Sequence, residues 1–371
     1  MKQKLRVITV LASLFVSPAW ASSSIEKTLD ATSGERLEID LGHGGDVYIS
    51  GWDRPEVQVL VSPGGLDQDN VRVEIETVRT GVRVQSRMIQ KRRRHRTSFK
   101  YEFKVPMRYD LKIDSMGGDI RISGVEGEIV GGTMGGELDL RDLRGHLDLS
   151  TMGGEIVMEN SNVDGKVSTM DGDVDLRDVV GNVDAETMGG DVRYHNVQRR
   201  QGNDARVVKI STMGGRIDVP EAPGGAKLES MGGEITVGRA KVFVKAETMG
   251  GEILIREIDG WVDAETMGGD VEVTMVGDPT QGRRDVSIES MGGKILLTVP
   301  DGLSMRFEIR IDITQQAKRD YTIHSDFPVK IEKRKRSRDR LVIIGSGDVG
   351  TAEHRIRIRT FNGDVEIRRG Q

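Results

Sequence analysis

Ten of the 16 methionines share one setting, Thr/Ser-Met-Gly-Gly-acid with small variations: Met116, Met134, Met152, Met170, Met188, Met213, Met231, Met249, Met267 and Met291. A thioether is flexible and polarizable, so methionines in register would form a stripe able to adapt to varied apolar partners. The competing reading is that each methionine folds over a neighbouring Gly-Gly turn and shields its backbone, and the sequence favours this one. Copper or haem ligation would call for companion His or Cys. The chain has no Cys, and His43, His95, His146, His195, His324 and His354 are scattered.

The acid after the glycine pair forms a second set: Asp119, Glu137, Glu155, Asp173, Asp191, Glu234, Glu252, Asp270 and Asp364. A stacked row of carboxylates could hold Ca²⁺, as in glycine-rich nonapeptide β-rolls. The nonapeptide order Gly-Gly-x-Gly-x-Asp is absent, however, and Arg216 and Lys294 would place a cation inside any such row. These acids are therefore expected to form a solvated outer face, and no metal or other cofactor is expected.

The third set is basic. One run is Lys91, Arg92, Arg93, Arg94, His95 and Arg96; the other is Lys333, Arg334, Lys335, Arg336, Arg338 and Arg340. Each lies between alternating segments and reads as an exposed hairpin tip. The pairs Arg199-Arg200 and Arg283-Arg284 fall where the repeat lengthens, and read as loops on one side of the molecule. On a chain of net charge −5 these clusters suit an anionic lipid surface, lipopolysaccharide or another polyanion. Charged tips that only discourage edge pairing would look the same.

Other chemistries drop out. Gly345-Ser346-Gly347-Asp348-Val349-Gly350 matches a dinucleotide fingerprint, but His354-Arg355-Ile356-Arg357-Ile358 alternates as a strand where a helix N-terminus is required. No Walker A sequence, nucleophile elbow or His-Glu-x-x-His is present, and without Cys there is no disulfide or thiol nucleophile.

The elements that must position these residues follow from their spacing. Seven of the nine intervals between the methionines are 18 residues and the others are 25 and 24. Within a period the sequence alternates, as in Val262-Asp263-Ala264-Glu265-Thr266, then turns at Gly268-Gly269 and alternates again as Asp270-Val271-Glu272-Val273-Thr274. A second turn is expected around Gly127, Gly145, Gly165, Gly181 and Gly260. Eighteen residues at ~3.3 Å each trace a closed path of about 60 Å, and identical bends at a fixed period fit stacked coils better than a meander. The expected fold is all-β: a single-stranded β-solenoid, or β-helix, of about ten 18-residue coils over residues 111–300. A β segment at 22–110 and another at 301–371 would cap its ends.

Several segments then carry a resemblance. Leu37-Glu38-Ile39-Asp40-Leu41, Gly45-Asp46-Val47-Tyr48-Ile49-Ser50-Gly51-Trp52-Asp53, the glycine-pair repeats, and Arg355 to Val365 through Phe361-Asn362-Gly363-Asp364 resemble the bacterial "putative adhesin" β-strand-repeat family, a domain of unknown function. The resemblance covers nearly the whole chain after residue 21. It implies an exported or envelope-associated β-solenoid with no agreed enzymatic activity. Methionine at nearly every bend departs from that family's usual pattern.

Residues 1–21 read as an export signal: Lys2, Lys4 and Arg6, an apolar stretch from Val7 to Val16, then Ala19-Trp20-Ala21 with cleavage after Ala21. Its removal takes the formal charge from −5 to −8. No other apolar run is long enough to span a bilayer. The expected protein is periplasmic or secreted, a non-enzymatic structural or binding module whose partner is an anionic envelope surface, a polysaccharide or another envelope protein; nucleic acid is not expected. A carbohydrate-active β-helix enzyme is the alternative from another class, and a calcium-binding β-roll the third reading.

Overall fold

The computed structural model describes residues 24–64, 70–89, 98–197, 207–314, 320–337 and 340–370. Among them are 31 strands, all joined by hydrogen bonds into one continuous sheet, and no helix. Between its two ends the sheet consists of two parallel ladders. In the first, each strand ends on the Thr or Ser before a methionine; in the second, each strand begins just after the glycine pair. Neighbouring strands pair at an offset of one repeat, Ile129 beside Leu111 and Leu147 on the first ladder and Leu138 beside Ile120 and Ile156 on the second. The chain is thus an all-β solenoid in which equivalent residues of successive repeats lie side by side.

The alternation seen in the sequence decides which side chains enter the interior. Ile113, Leu149, Val167, Ala185, Ile210, Leu228, Ala246, Ala264, Ile288 and Ile358 form one inward column, with Gly131 in the second rung. On the other ladder Ile120, Leu138, Ile156, Val174, Val192, Ile217, Ile235, Ile253, Val271, Ile295 and Val365 do the same, and both columns are buried apart from the glycine. Burying one Val, Leu or Ile side chain contributes about 1.5–3 kcal/mol, so a core two side chains thick holds a chain without disulfides by repetition. Slipping one strand by one residue would turn its whole apolar set outward.

The second bend differs from the expected one. Its left-handed residues are Gly124, Asp142, Asn160, Asp178 and Asn196, each 18 from the next, with φ between 50° and 67°. Gly127, Gly145, Gly165 and Gly260 lie within strands instead, and of the five expected glycines Gly181 alone sits at a bend. Asp and Asn tolerate this conformation because their short polar side chains hydrogen-bond locally.

Both ends use one device. The strands Arg36–Leu41 and Asp46–Trp52 stack directly on Asp110–Ser115 and Ile120–Ser123, so the first pair of stacked strands precedes the methionine array. The intervening chain runs outward: Gly81–Met88 and Ser98–Pro106 add parallel strands beyond that pair, and Val71–Val78, Glu56–Gly64 and Ile25–Asp30 complete the edge antiparallel. At the other end Val286–Ser290 and Ile295–Val299 are covered by the last strands in sequence, His354–Phe361 and Val365–Arg369. Met305–Thr314 and Ile323–Ser325 lie beyond them, although they come earlier in the chain. Antiparallel strands Arg340–Val349 and Lys330–Ser337 then finish the first ladder. The terminal strands Val71–Val78 and Lys330–Ser337 are rich in charge, which keeps open edges from pairing with other chains.

Candidate binding surfaces

The Thr-Met-Gly-Gly corner is built by hydrogen bonds between coils. The buried Thr or Ser donates its hydroxyl to the second glycine's carbonyl on the preceding coil: Thr151 to Gly136 O at 2.8 Å, Thr248 to Gly233 O at 3.0 Å, Ser290 to Gly269 O at 3.0 Å, and Thr360 to Gly293 O at 3.0 Å. The same oxygen accepts from the second glycine's N–H in its own coil, as in Gly269 N to Thr266 Oγ1 at 3.2 Å. This hydroxyl ladder is not among the roles the sequence suggests for Thr. Its signal was the restriction of that position to Thr and Ser in every copy.

The acids after the glycine pair also work between coils when they are aspartates. Asp173 Oδ1 accepts the N–H of Asp191 at 2.8 Å, Asp191 Oδ1 that of Arg216 at 2.8 Å, and Asp270 Oδ1 that of Lys294 at 2.7 Å. The sequence suggested a solvated outer face; here the shorter aspartate side chain satisfies the next coil's backbone. Cations at Arg216 and Lys294 are therefore compatible with the row, since only their backbone N–H is used.

The methionines between these anchors are half-exposed, from 40% at Met170 to 58% at Met116. The backbone keeps them in rank, with Met188 N bonded to Met170 O and Met213 N to Met188 O, both at 3.2 Å. They form a continuous outward stripe. Met158, Met275 and Met305, outside the motif, are buried in the core.

The basic sets fall differently. Lys91, Arg92, Arg93, Arg94, Arg96, Arg199, Arg200 and Arg338 lie outside the described residues. Lys333, Arg334, Lys335 and Arg336 are not confined to a tip: they belong to the edge strand Lys330–Ser337, and Arg340 opens the strand paired with it. On that edge Glu332 is gripped by Lys330 at 2.9 Å and Arg334 at 2.7 Å, and these two hydrogen-bonded cations hold its carboxyl down at about 2. Lys333 and Lys335 are exposed and have no ion-pair partner among the described residues.

Arg283 and Arg284 separate. Arg283 is exposed, stacks over Trp261 at 4.7 Å and pairs with Asp285 at 2.7 Å. Arg284 is 2% exposed and donates to Asp259 Oδ1 at 2.6 Å, Val276 O at 2.8 Å and Gln281 O at 3.1 Å. Burial removes Arg284 from the surface set; it is the strut of the expanded loop. Replacing it with methionine keeps the aliphatic bulk but leaves two carbonyls without this donor, and should cost roughly 2 kcal/mol. A lowered melting midpoint with new proteolytic cutting within residues 276–285 is the expected outcome, and an unchanged midpoint would contradict this role.

Elsewhere on the second ladder the arginines are spent on acids. Arg141 pairs with Asp139 at 2.7 Å, Arg177 with Glu159 at 3.1 Å, and Arg193 with both Asp173 and Asp191 at 3.1 and 3.0 Å. Such exposed pairs contribute little stability individually, but they leave few cations free for a ligand. The Gly345 to Gly350 stretch runs from a strand through a turn into the strand His354–Phe361, so it offers no helix N-terminus for a phosphate.

Residues 22–220 match the Toastrack DUF4097 family, and the chain belongs to it. No curated protein matches the sequence. Among solved structures, a "putative adhesin" of Bacteroides fragilis is 14% identical, covering 75% of this chain and 98% of its own, with a TM-score of 0.33. A "putative lipid binding protein" of Parabacteroides distasonis is also 14% identical over 75% of this chain and 97% of its own, with a TM-score of 0.29. A "putative cell adhesion protein" of Clostridium sporogenes is 9% identical over 94% and 99%, with a TM-score of 0.19. At TM-scores this low none of them bears on the function of this chain.

Proposed function

We propose that the protein is an exported, non-enzymatic binding rod of the cell envelope, a solenoid of about ten 18-residue coils whose basic end contacts a polyanionic surface such as anionic lipid head groups or lipopolysaccharide. One observation carries this reading: Lys333 and Lys335 are exposed on the terminal edge strand with no ion-pair partner among the described residues, whereas Arg141, Arg177 and Arg193 on the rod's flank are paired with carboxylates. The repeated aspartates are spent on bonds between coils, which supports a scaffold rather than a reacting centre. Export rests on the first 21 residues.

The test is co-sedimentation with vesicles of phosphatidylcholine alone or mixed with phosphatidylglycerol, at two salt concentrations. Each free Lys near an anionic surface is worth about 1 kcal/mol, so Lys333→Glu with Lys335→Glu should weaken binding about thirtyfold or more. Because Glu332 stays ionised down to about pH 2, binding should change little between pH 8 and pH 5 yet fall with salt. Unchanged binding after the double charge reversal would overturn the proposal. So would cleavage products on incubation with envelope polysaccharides, which would favour the enzyme reading.

A further inference from the structure

We propose that the methionine stripe is a binding site for soft monovalent d¹⁰ cations, Cu(I) or its surrogate Ag(I), with its best-formed position at Met116, Met134 and Met152. Sequence reasoning asked for His or Cys companions; stacking supplies further thioethers in their place. Thr133 pairs in register with Ser115 and with Thr151, so the three methionines that follow stand about one inter-strand spacing apart, ~4.8 Å between neighbours. A methionine side chain has three rotatable bonds, enough to bring the sulfurs of adjacent rungs to one ion. All three methionines line a single surface hollow of about 510 Å³, which is also lined by Gly132, Ser150 and the carboxylates Asp40 and Asp114. Gly132 contributes no side chain, which leaves the hollow open beside the methionines. Asp114 adds a negative charge near the site without competing as a soft ligand.

Neutral thioethers without thiolate or imidazole select Cu(I) over hard cations and have little to offer Zn²⁺, Ca²⁺ or Mg²⁺. The rest of the stripe, from Met170 to Met291, would supply weaker positions of the same kind, because its methionines are also half-exposed and their backbones stand in rank.

The experiment uses the full chain. Cu(I), held reduced with ascorbate, is titrated in competition with bicinchoninate, and Ag(I) is titrated in parallel by calorimetry. The wild type should withdraw Cu(I) from the chelator and give an X-ray absorption first shell of sulfur alone. Met116→Leu with Met134→Leu and Met152→Leu should lose the tightest binding step, while Met158→Leu, in the core, should keep it. If the triple variant fails to fold, brief peroxide treatment of the wild type serves instead. It converts exposed thioethers to sulfoxides, whose oxygen is a hard ligand, and binding should disappear while Met158 stays reduced. No withdrawal of Cu(I), an unchanged titration by the folded triple variant or the sulfoxidised protein, or a nitrogen and oxygen shell would overturn the proposal.

Discussion

Gly251→Ala should cost the protein roughly 3 kcal/mol or more, whereas Gly250→Ala, one residue away, should cost less than about 1 kcal/mol. A Cβ on Gly251 would sit 2.0 Å from Gly233 O, 2.4 Å from its carbonyl carbon and 2.7 Å from Glu234 N, all backbone atoms of the preceding coil. Nothing there can rotate away, so two coils would have to separate. A Cβ on Gly250 meets nothing closer than Gly232 O at 3.8 Å, an ordinary contact. The chain has made the milder exchange itself: Asp171 and Asn362 stand at the first glycine position, while the second remains Gly172 and Gly363. Denaturant melts of the two variants side by side check the contrast, and equal destabilisation would contradict the stacked corner.

The second large effect concerns the hydroxyl ladder. Thr266 is fully buried; its Oγ1 donates to Gly251 O at 2.9 Å and accepts from Gly268 N at 3.3 Å and Gly269 N at 3.2 Å. Thr266→Val preserves shape and apolar contact but deprives a buried carbonyl and two N–H groups of their partner. At about 1–3 kcal/mol for a buried group left without a bond, a loss of roughly 2–4 kcal/mol is expected, because the exposed corner lets water reach part of the set. Thr266→Ser should recover most of it, since Ser230 and Ser290 hold the same place in other coils, Ser230 donating to Gly215 O at 3.1 Å. If valine and serine variants melt together, the ladder is packing alone.

Much of the architecture was legible because the repeat is strict. An 18-residue period with alternation inside it leaves few ways to bury Val, Ile and Leu except by stacking, and the glycine pair marks one bend in every copy. The other bend was misplaced onto Gly127, Gly145, Gly165 and Gly260, because glycine is the louder signal; the quieter Asp142, Asn160, Asp178 and Asn196 column has the same period and carries the left-handed turn. The order of strands at the ends could not be read at all. That His354–Phe361 lies inside Met305–Thr314 depends on a long excursion returning to fill a gap, and local pattern does not encode it.

The surface was less legible than the core. Sequence shows that Arg283 and Arg284 are adjacent cations, but not that one stacks on Trp261 while the other is swallowed by its loop. It likewise cannot separate an aspartate that bonds to the next coil from an exposed glutamate such as Glu137, Glu155 or Glu252, although the split of the acid row into Asp and Glu was in plain view. For the methionines the half-exposed stripe, not only a shield over glycine, is what the folded chain presents.

The stacking itself is open to one direct measurement. The chain has no cysteine, so cysteine pairs introduced at methionine positions can be spin-labelled cleanly and their separations read by double electron–electron resonance. With ~4.8 Å per coil, labels at Met188 and Met267 should lie about 19 Å apart and labels at Met134 and Met267 about 34 Å apart, rising linearly with the number of intervening coils. Distances that do not grow with coil number, or that scatter about a constant value, would contradict a common axis for the repeats.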